Sequence, residues 1–220
     1  MDNSMNMDIN INQLDINTGD ICLFQHVNNY RTGFQIFDNV LSWLIDSWTH
    51  STFSHIGIVI RSPHFSDGKK LDGLFLLESN YEGFPDSEDN EIKFGVQIVP
   101  LKKAFENNYS NIYWRKLNCQ RNTEFYRKLD EIQSVIHNKP YDINPIDWIK
   151  AAFKIDEGDV QKTNTFWCSA LVSYVYVKLG FLDENTPWSI ISPEQFSSVG
   201  EDALTFKNCS LEKETLIFKV

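Results

Sequence analysis

The sequence predicts a single α+β domain in which an antiparallel sheet packs against helices. Short apolar and β-branched runs, the pattern of buried strands, cluster in the first half of the chain, whereas segments with helical spacing dominate the second half. The 220 residues contain no internal repeat and no second apolar core, and this length suits one sizeable core. We therefore expect a flexible polar leader over residues 1–17 and one domain over residues 18–220.

The strands are predicted from apolar, β-branched runs bounded by turn residues. Gly19 and Asp20 form a turn that opens the first of them. The predicted strands cover residues 21–24, 55–60, 74–78, 96–99 and 112–114, with a closing strand over 215–220. The acidic stretch over residues 81–91 contains glycine and proline and is expected to be a loop.

The helices are predicted from apolar spacings of three and four and from capping residues. Asn122 is a candidate N-cap, and Gly180 is a candidate C-cap. Ser192 and Gln195 have the spacing of a capping box. The predicted helices cover residues 34–48, 123–137, 145–153 and 168–179, with one more short helix after Ser192.

Composition excludes several classes of function. The formal net charge of -10 and the pI near 4.9 argue against nucleic-acid binding and against polybasic docking to membranes. The N-terminal residues lack the basic-then-apolar pattern of a signal peptide, and no apolar run approaches the ~20 residues that span a bilayer. We expect a cytoplasmic protein without stable membrane insertion, and the sequence leaves its oligomeric state open.

The four cysteines are far apart in the chain and form no CxxC pair. A disulfide framework or a zinc site would usually show denser or paired cysteines. We therefore predict free thiols in a reducing compartment, and neither a metal site nor a cofactor. The cysteines are Cys22, Cys119, Cys168 and Cys209.

Cys168 lies in the first turn of the predicted helix over residues 168–179. An isolated cysteine is more often a small buried apolar residue than a nucleophile. At a helix start, however, unpaired backbone N–H groups and the helix dipole favour the thiolate, which is the reactive form. The same N–H groups can stabilise the oxyanion that forms when a carbonyl is attacked.

His55 and Glu78 are the candidate partners of this cysteine. His55 opens a predicted strand, from which it can reach a neighbouring helix terminus and serve as a general base. Glu78 ends the next strand, and hairpin pairing would place it beside His55 to fix the tautomer of the ring. Each residue taken alone has an ordinary structural explanation, and His64, in the loop between the strands, is the rival for the third position.

The segment Trp167-Cys168-Ser169-Ala170-Leu171-Val172-Ser173-Tyr174 resembles the nucleophile segment Asp-Cys-Ser-Gly-Leu-Val-x-Tyr of NlpC-type cell-wall peptidases. The histidine precedes the cysteine here, as in the circularly permuted branch of YiiX-like proteins and lecithin:retinol acyltransferase relatives, a group that poxviruses also encode. The segments Gly19-Asp20-Ile21 and Ser54-His55-Ile56-Gly57 are similar to the strand motifs of that branch, and Pro140-Tyr141-Asp142 to its Pro-Tyr-Asp segment. The resemblance runs from about Gly19 to Phe196.

The resemblance implies a circularly permuted papain-like fold of the NlpC type, with Cys168 as nucleophile, His55 as base and Glu78 as the orienting residue. Tyr141 and Trp167 would line the substrate cleft, although core packing explains Trp167 equally well. Trp167 replaces the aspartate of the cell-wall enzymes, so their specificity for peptidoglycan does not carry over.

The function implied by the resemblance is a cysteine hydrolase, an amidase or peptidase, that forms an acyl-enzyme on an amide or peptide-like bond. The alternatives are a lipid acyltransferase or phospholipase of the same fold and a catalytically silent binding module. The expected partner is a small-molecule, peptide or lipid-derived acyl substrate. The absence of a basic face favours the amide over a membrane phospholipid.

Overall fold

A six-stranded sheet forms the centre of the protein in the computed structural model. The structure describes residues 14–26, 52–65, 67–80, 85–107, 110–141, 165–200 and 202–220. The helices predicted over residues 34–48 and 145–153 lie outside these ranges, as does Asp142.

The strands of the sheet pair antiparallel in the order β4-β3-β2-β1-β5-β8, as predicted for an α+β protein. Two further short strands, β6 and β7, form a separate antiparallel pair. The strands are β1 (Ile21–His26), β2 (His55–Arg61), β3 (Leu74–Asn80), β4 (Gly95–Pro100), β5 (Ser110–Arg115), β6 (Leu117–Asn118), β7 (Ser210–Leu211) and β8 (Thr215–Phe218).

Three α-helices flank the sheet in the described part of the chain: α1 (Leu101–Asn107), α2 (Thr123–Ile136) and α3 (Cys168–Leu179). Helix α3 packs against β2 and β3, and helix α2 packs against α3. All residues of α3 except Lys178 are buried, which agrees with its apolar sequence and makes it the central helix of the larger core cluster. A smaller core cluster includes Leu101, Ala104 and Phe105 of α1.

The caps predicted at Asn122 and Gly180 and the capping box at Ser192 are confirmed. The backbone N–H of Phe125 donates to Asn122 Oδ1 over 3.0 Å, so Asn122 caps α2. Gly180 ends α3 with a φ of 80°, a left-handed conformation that favours glycine. The N–H of Ser192 donates to Gln195 Oε1 over 3.0 Å at the start of a short 3₁₀ helix, Pro193–Phe196.

Asp20 joins the start of β1 to two other parts of the fold. Its side chain is fully buried, and its Oδ2 accepts hydrogen bonds from the Asn17 backbone N–H and from Trp114 Nε1. Its Oδ1 accepts from the Leu117 N–H and from Arg121. The Gly-Asp turn predicted from the sequence is therefore a structural junction.

The boundary predicted for the flexible leader, residues 1–17, is wrong by several residues. Ile16 is fully buried in the smaller core cluster, and its carbonyl oxygen accepts a hydrogen bond from Arg61 Nε over 3.1 Å. Leu14 also packs against this cluster, so the packed chain begins before Asn17. Residues 1–13 lie outside the described ranges.

A candidate active site at the start of helix α3

Cys168 is the first residue of α3 and follows Trp167, which has the extended backbone of an N-cap residue. The loop before it is tied to the sheet, because Ser79 Oγ of β3 donates a 2.5 Å hydrogen bond to the carbonyl oxygen of Phe166. The N–H groups in the first turn of an α-helix have no acceptor within the helix. The cysteine is therefore placed where backbone donors and the helix dipole favour negative charge.

His55 is the first residue of β2, and neighbouring groups fix both its backbone and its ring. The backbone N–H of Ser54 donates to the carbonyl oxygen of Phe24 over 2.9 Å. The Phe24 ring meets the imidazole edge-on, with the ring centroids 5.1 Å apart. The carboxylate of Glu194 accepts the backbone N–H of Thr52 over 2.7 Å, which anchors the chain just before the strand.

The imidazole joins the cysteine to a buried carboxylate. His55 Nε2 lies 2.6 Å from Glu78 Oε2. The Cys168 thiol also interacts with the imidazole, closely enough to raise the pKa of His55. Because Nε2 is occupied by Glu78, Nδ1 is the ring nitrogen that remains for the sulfur. The structure thus brings together the three residues that the sequence predicts as nucleophile, base and orienting group.

The pairing of β2 with β3 explains how Glu78 reaches His55. Ile58 pairs with Leu77, and continuing this antiparallel register places Glu78 opposite Gly57 and diagonal to His55. Gly57 puts no side chain between the two. A Cβ at Gly57 would lie 2.7 Å from Leu76 Cγ, so the packing of the Leu76 side chain over this position favours glycine.

Two buried amides hold the other oxygen of the carboxylate, and sequence reasoning missed both. Gln97 Nε2 donates to Glu78 Oε1 over 3.1 Å from the neighbouring strand, and Asn80 Nδ2 donates to the same atom over 3.3 Å. Gln97 is 1% exposed. The signal that could have identified it is one long polar side chain within the otherwise apolar strand over residues 96–99.

These contacts set the charge states of the pair. Burial alone would lower the pKa of His55, but hydrogen bonds and negative charge from Cys168 and Glu78 outweigh it and raise the pKa to about 10. Burial opposes ionisation of Glu78, yet its bond to His55 and those from Gln97 and Asn80 hold its pKa below the usual range. The arrangement therefore favours a protonated imidazole beside an ionised Glu78.

The two residues predicted to line a cleft lie close to the cysteine in the fold. Tyr141 forms a parallel β-bridge with Phe166, two residues before Cys168. Trp167 is 8% exposed, and its indole Nε1 has no hydrogen-bond partner among the described residues. The side chain packs in the larger core cluster, one residue before Cys168, and its unpaired donor is a group that a bound carbonyl or amide could satisfy.

His64, the rival for the third position, lies elsewhere. It forms a β-bridge with Lys70 in the loop between β2 and β3, and its side chain is exposed. The contact with His55 is made by Glu78.

The other three cysteines have different surroundings. Cys22 is fully buried in β1, and burial raises the pKa of its thiol well above the usual range. Cys119 and Cys209 are half-buried, and burial raises the pKa of each. In the described part of the chain, no three histidine, cysteine or acidic side chains are grouped as metal ligands, and no helix has the length and apolar character to cross a membrane.

Comparisons with known proteins add no assignment. No protein-family model, no curated protein and no solved structure matches the chain. The chemistry of the site therefore has to be inferred from its own residues. A thiol at a helix start, an imidazole on that thiol and a buried carboxylate on the imidazole form an arrangement suited to nucleophilic attack on a carbonyl carbon.

Proposed function

We propose that this protein is a thiol hydrolase that forms an acyl-enzyme on Cys168, with His55 as the acid–base group and Glu78 as the residue that orients it. The observation that carries the proposal is that His55, held 2.6 Å from the buried Glu78 carboxylate, also interacts with Cys168 at the start of α3. This triad, together with the order in which its residues occur in the chain, also supports a circularly permuted papain-like fold of the NlpC type.

The first half of the reaction uses the thiolate and the imidazolium together. The Cys168 sulfur attacks the carbonyl carbon of the substrate, and the negative charge that develops on the carbonyl oxygen is stabilised by the N–H groups of the first turn of α3. His55 then gives its Nδ1 proton to the leaving group as the tetrahedral intermediate collapses. The amine or alcohol departs, and the acyl group remains on sulfur as a thioester.

The second half returns the enzyme to its resting state. His55 is now neutral, and its Nδ1 accepts a proton from a water molecule or an acceptor hydroxyl that attacks the thioester. The acid or the transferred ester leaves, and Cys168 regains its negative charge beside a protonated His55. Glu78 keeps the ring oriented through Nε2 in both halves, since its own oxygen accepts that N–H over 2.6 Å.

The substrate class that we propose is an amide or peptide-like bond. Tyr141 bridges to Phe166 and Trp167 directly precedes Cys168, and the buried indole N–H of Trp167 has no acceptor among the described residues. An amide carbonyl bound near Cys168 would suit this donor and these aromatic side chains. The net charge of -10 disfavours approach to a bilayer with anionic headgroups.

The test is intact mass spectrometry of the full chain after incubation with acyl-amide and dipeptide libraries, and separately with phospholipid vesicles. We expect an acyl adduct on Cys168 and amide cleavage in the wild type, with neither in Cys168→Ala. Cysteine-dependent release of fatty acid from vesicles, without cleavage of any amide, would establish the lipid acyltransferase or phospholipase alternative. If no acyl donor gives an adduct, the result would support the alternative of a catalytically silent binding module.

A further inference from the structure

Two cysteines outside the candidate active site face each other beside the small β6–β7 ladder. Leu117 pairs with Leu211, and Asn118 pairs with Ser210, in antiparallel register. Continuing that register by one residue places Cys119 directly opposite Cys209. The two thiols are 90 positions apart in the sequence, and no sequence motif connects them.

The hydrogen bonds of the ladder show which kind of pair the cysteines form. The N–H of Glu212 donates to the carbonyl oxygen of Lys116 over 2.9 Å, so these two residues form a hydrogen-bonded pair. Hydrogen-bonded and non-hydrogen-bonded pairs alternate along an antiparallel ladder, and Cys119 lies three positions beyond Lys116. Cys119 and Cys209 therefore occupy a non-hydrogen-bonded pair, in which Cα atoms are about 4.5 Å apart. This separation is within the range of about 4.4–6.8 Å that a disulfide requires.

The surroundings of the two thiols agree with this geometry. Both side chains are half-buried against the larger core cluster, so both point to the same side of the ladder. Burial, together with negative charge on Cys119, raises the pKa of Cys209 to about 12. Burial also raises the pKa of Cys119, but the nearby charge of Arg121 opposes that effect. Cys119 is thus the thiol that ionises more readily.

The geometry points to a dithiol site at Cys119 and Cys209 that is oxidised to a disulfide by a small-molecule disulfide. The Cys119 thiolate attacks one sulfur of the oxidant, RS–SR, which forms a mixed disulfide and releases one RS⁻. Cys209 then loses its proton and attacks the sulfur of Cys119, which forms the protein disulfide and releases the second RS⁻. Two protein thiols are oxidised, and the oxidant is reduced to two thiols.

The bridge would connect the C-terminal part of the chain to the rest of the core. Residues 210–218 contain β7 and β8, and β8 is an edge strand of the main sheet. The covalent ring would also enclose α2 and α3. Closing a ring of this length in the unfolded chain is expected to raise the Tm on the order of 10 °C.

The experiment uses the full chain with Cys168→Ala, so that the candidate nucleophile cannot enter the exchange. The reduced protein is incubated with oxidised glutathione, alkylated in denaturant and digested with trypsin without reduction. We expect peptide 117–121 linked to peptide 208–213, and an intact mass lower by two hydrogens. Formation should be faster at pH 9 than at pH 7, because both thiols must ionise. Cys119→Ser and Cys209→Ser should each leave a glutathione adduct on the remaining partner instead of the bridge.

Two results would overturn the inference. One is a native protein in which both thiols remain alkylatable, or stop at mixed disulfides, after prolonged oxidation. The other is a mixture of cross-links with Cys22 that matches the mixture obtained in denaturant, since this would show pairing without structural preference. Neither result bears on Cys168, so this inference and the proposed function can fail separately.

Discussion

Glu78 of β3 and Asp20, which directly precedes β1, are two buried carboxylates whose partners give them opposite properties. Asp20 accepts from backbone N–H groups, an indole and a guanidinium, all of which are permanent donors. Burial nevertheless outweighs these donors and raises the pKa of Asp20. Glu78 accepts from two amides and from His55, and its pKa is lowered.

This difference in partners indicates a structural role for Asp20 and a role in the chemistry of the site for Glu78. The groups bound to Asp20 do not change protonation state in the ordinary pH range, so Asp20 can only hold β1 and the segment after β5 together. Glu78 contacts a ring that gains and loses a proton, so its charge is coupled to the state of His55 and, through it, to Cys168. Substitutions at the two sites should therefore affect different measurements.

The largest expected effect is on turnover when the reacting groups are removed. Cys168→Ala should abolish acyl-enzyme formation, because no other described side chain takes the place of the sulfur. His55→Ala should lower turnover about 10⁴-fold, since both proton transfers lose their carrier. The measurement is amide hydrolysis under single-turnover conditions. An active Cys168→Ala variant would show that the thiol has no part in the reaction.

Glu78→Gln should lower turnover roughly 10³-fold while the protein stays folded. Gln97 and Asn80 both donate to Oε1, so the new carboxamide must keep its oxygen there and turn its NH₂ toward His55. His55 Nε2 then has to accept, which leaves its proton on Nδ1, facing Cys168. The matched control is His64→Ala, which should be nearly neutral because His64 is exposed. Larger loss in the His64 variant would transfer the orienting role to that residue.

Asp20→Asn should lower the stability of the protein and leave its turnover nearly unchanged. Both oxygens of Asp20 accept hydrogen bonds, so the amide nitrogen of asparagine would face two donors in either orientation. We expect a loss of about 3 kcal/mol in the free energy of unfolding, measured by urea denaturation. Turnover per folded molecule should stay near the wild-type value. A stable variant with low turnover would assign Asp20 to the chemistry.

The dependence of stability on pH gives a smaller and more specific signal. The pKa of His55 in the folded protein is raised to about 10, compared with an unfolded value near 6.5. Protonated His55 therefore contributes fully to the free energy of unfolding below pH 6.5, and this contribution is lost as the pH rises toward 10. The difference in unfolding free energy between wild type and His55→Gln should therefore shrink across this interval. Both proteins contain the same other thiols and tyrosines, so the contributions of these groups to the unfolding free energy cancel in the difference. A difference that stays constant would contradict the proposed charge state.

Local patterns predicted most of the described fold. Apolar, β-branched runs predicted the strands of the main sheet. Helical spacing and capping residues predicted helices α2 and α3, including the caps at Asn122 and Gly180. The short helix α1 and the two-residue strands β6 and β7 were not predicted, because segments of this length contain too few positions to show a period.

The sequence predicted the three main residues of the candidate site but not the hydrogen bonds that hold them in place. Cys168 and His55 were identified from a helix start, a strand start and a family resemblance, and Glu78 from strand pairing. The roles of Gln97, Asn80 and Ser79 depend on which strands are neighbours in the sheet, which spacing within one strand does not encode. The position of Cys119 opposite Cys209 likewise depends on the pairing of β6 with β7, which are far apart in the chain.

The most direct test of the central claim is the rate at which each thiol of the reduced full-length protein reacts with iodoacetamide at pH 6 to 7. We predict that Cys168 reacts at least about tenfold faster than the other three, since a helix start and an adjacent imidazolium favour its thiolate. Cys22 is fully buried, whereas Cys168 keeps 8% of its surface exposed, and burial raises the pKa of Cys119 and Cys209. The advantage should disappear in His55→Ala. Equal labelling of all four thiols in the native protein, or protection of Cys168, would contradict the account.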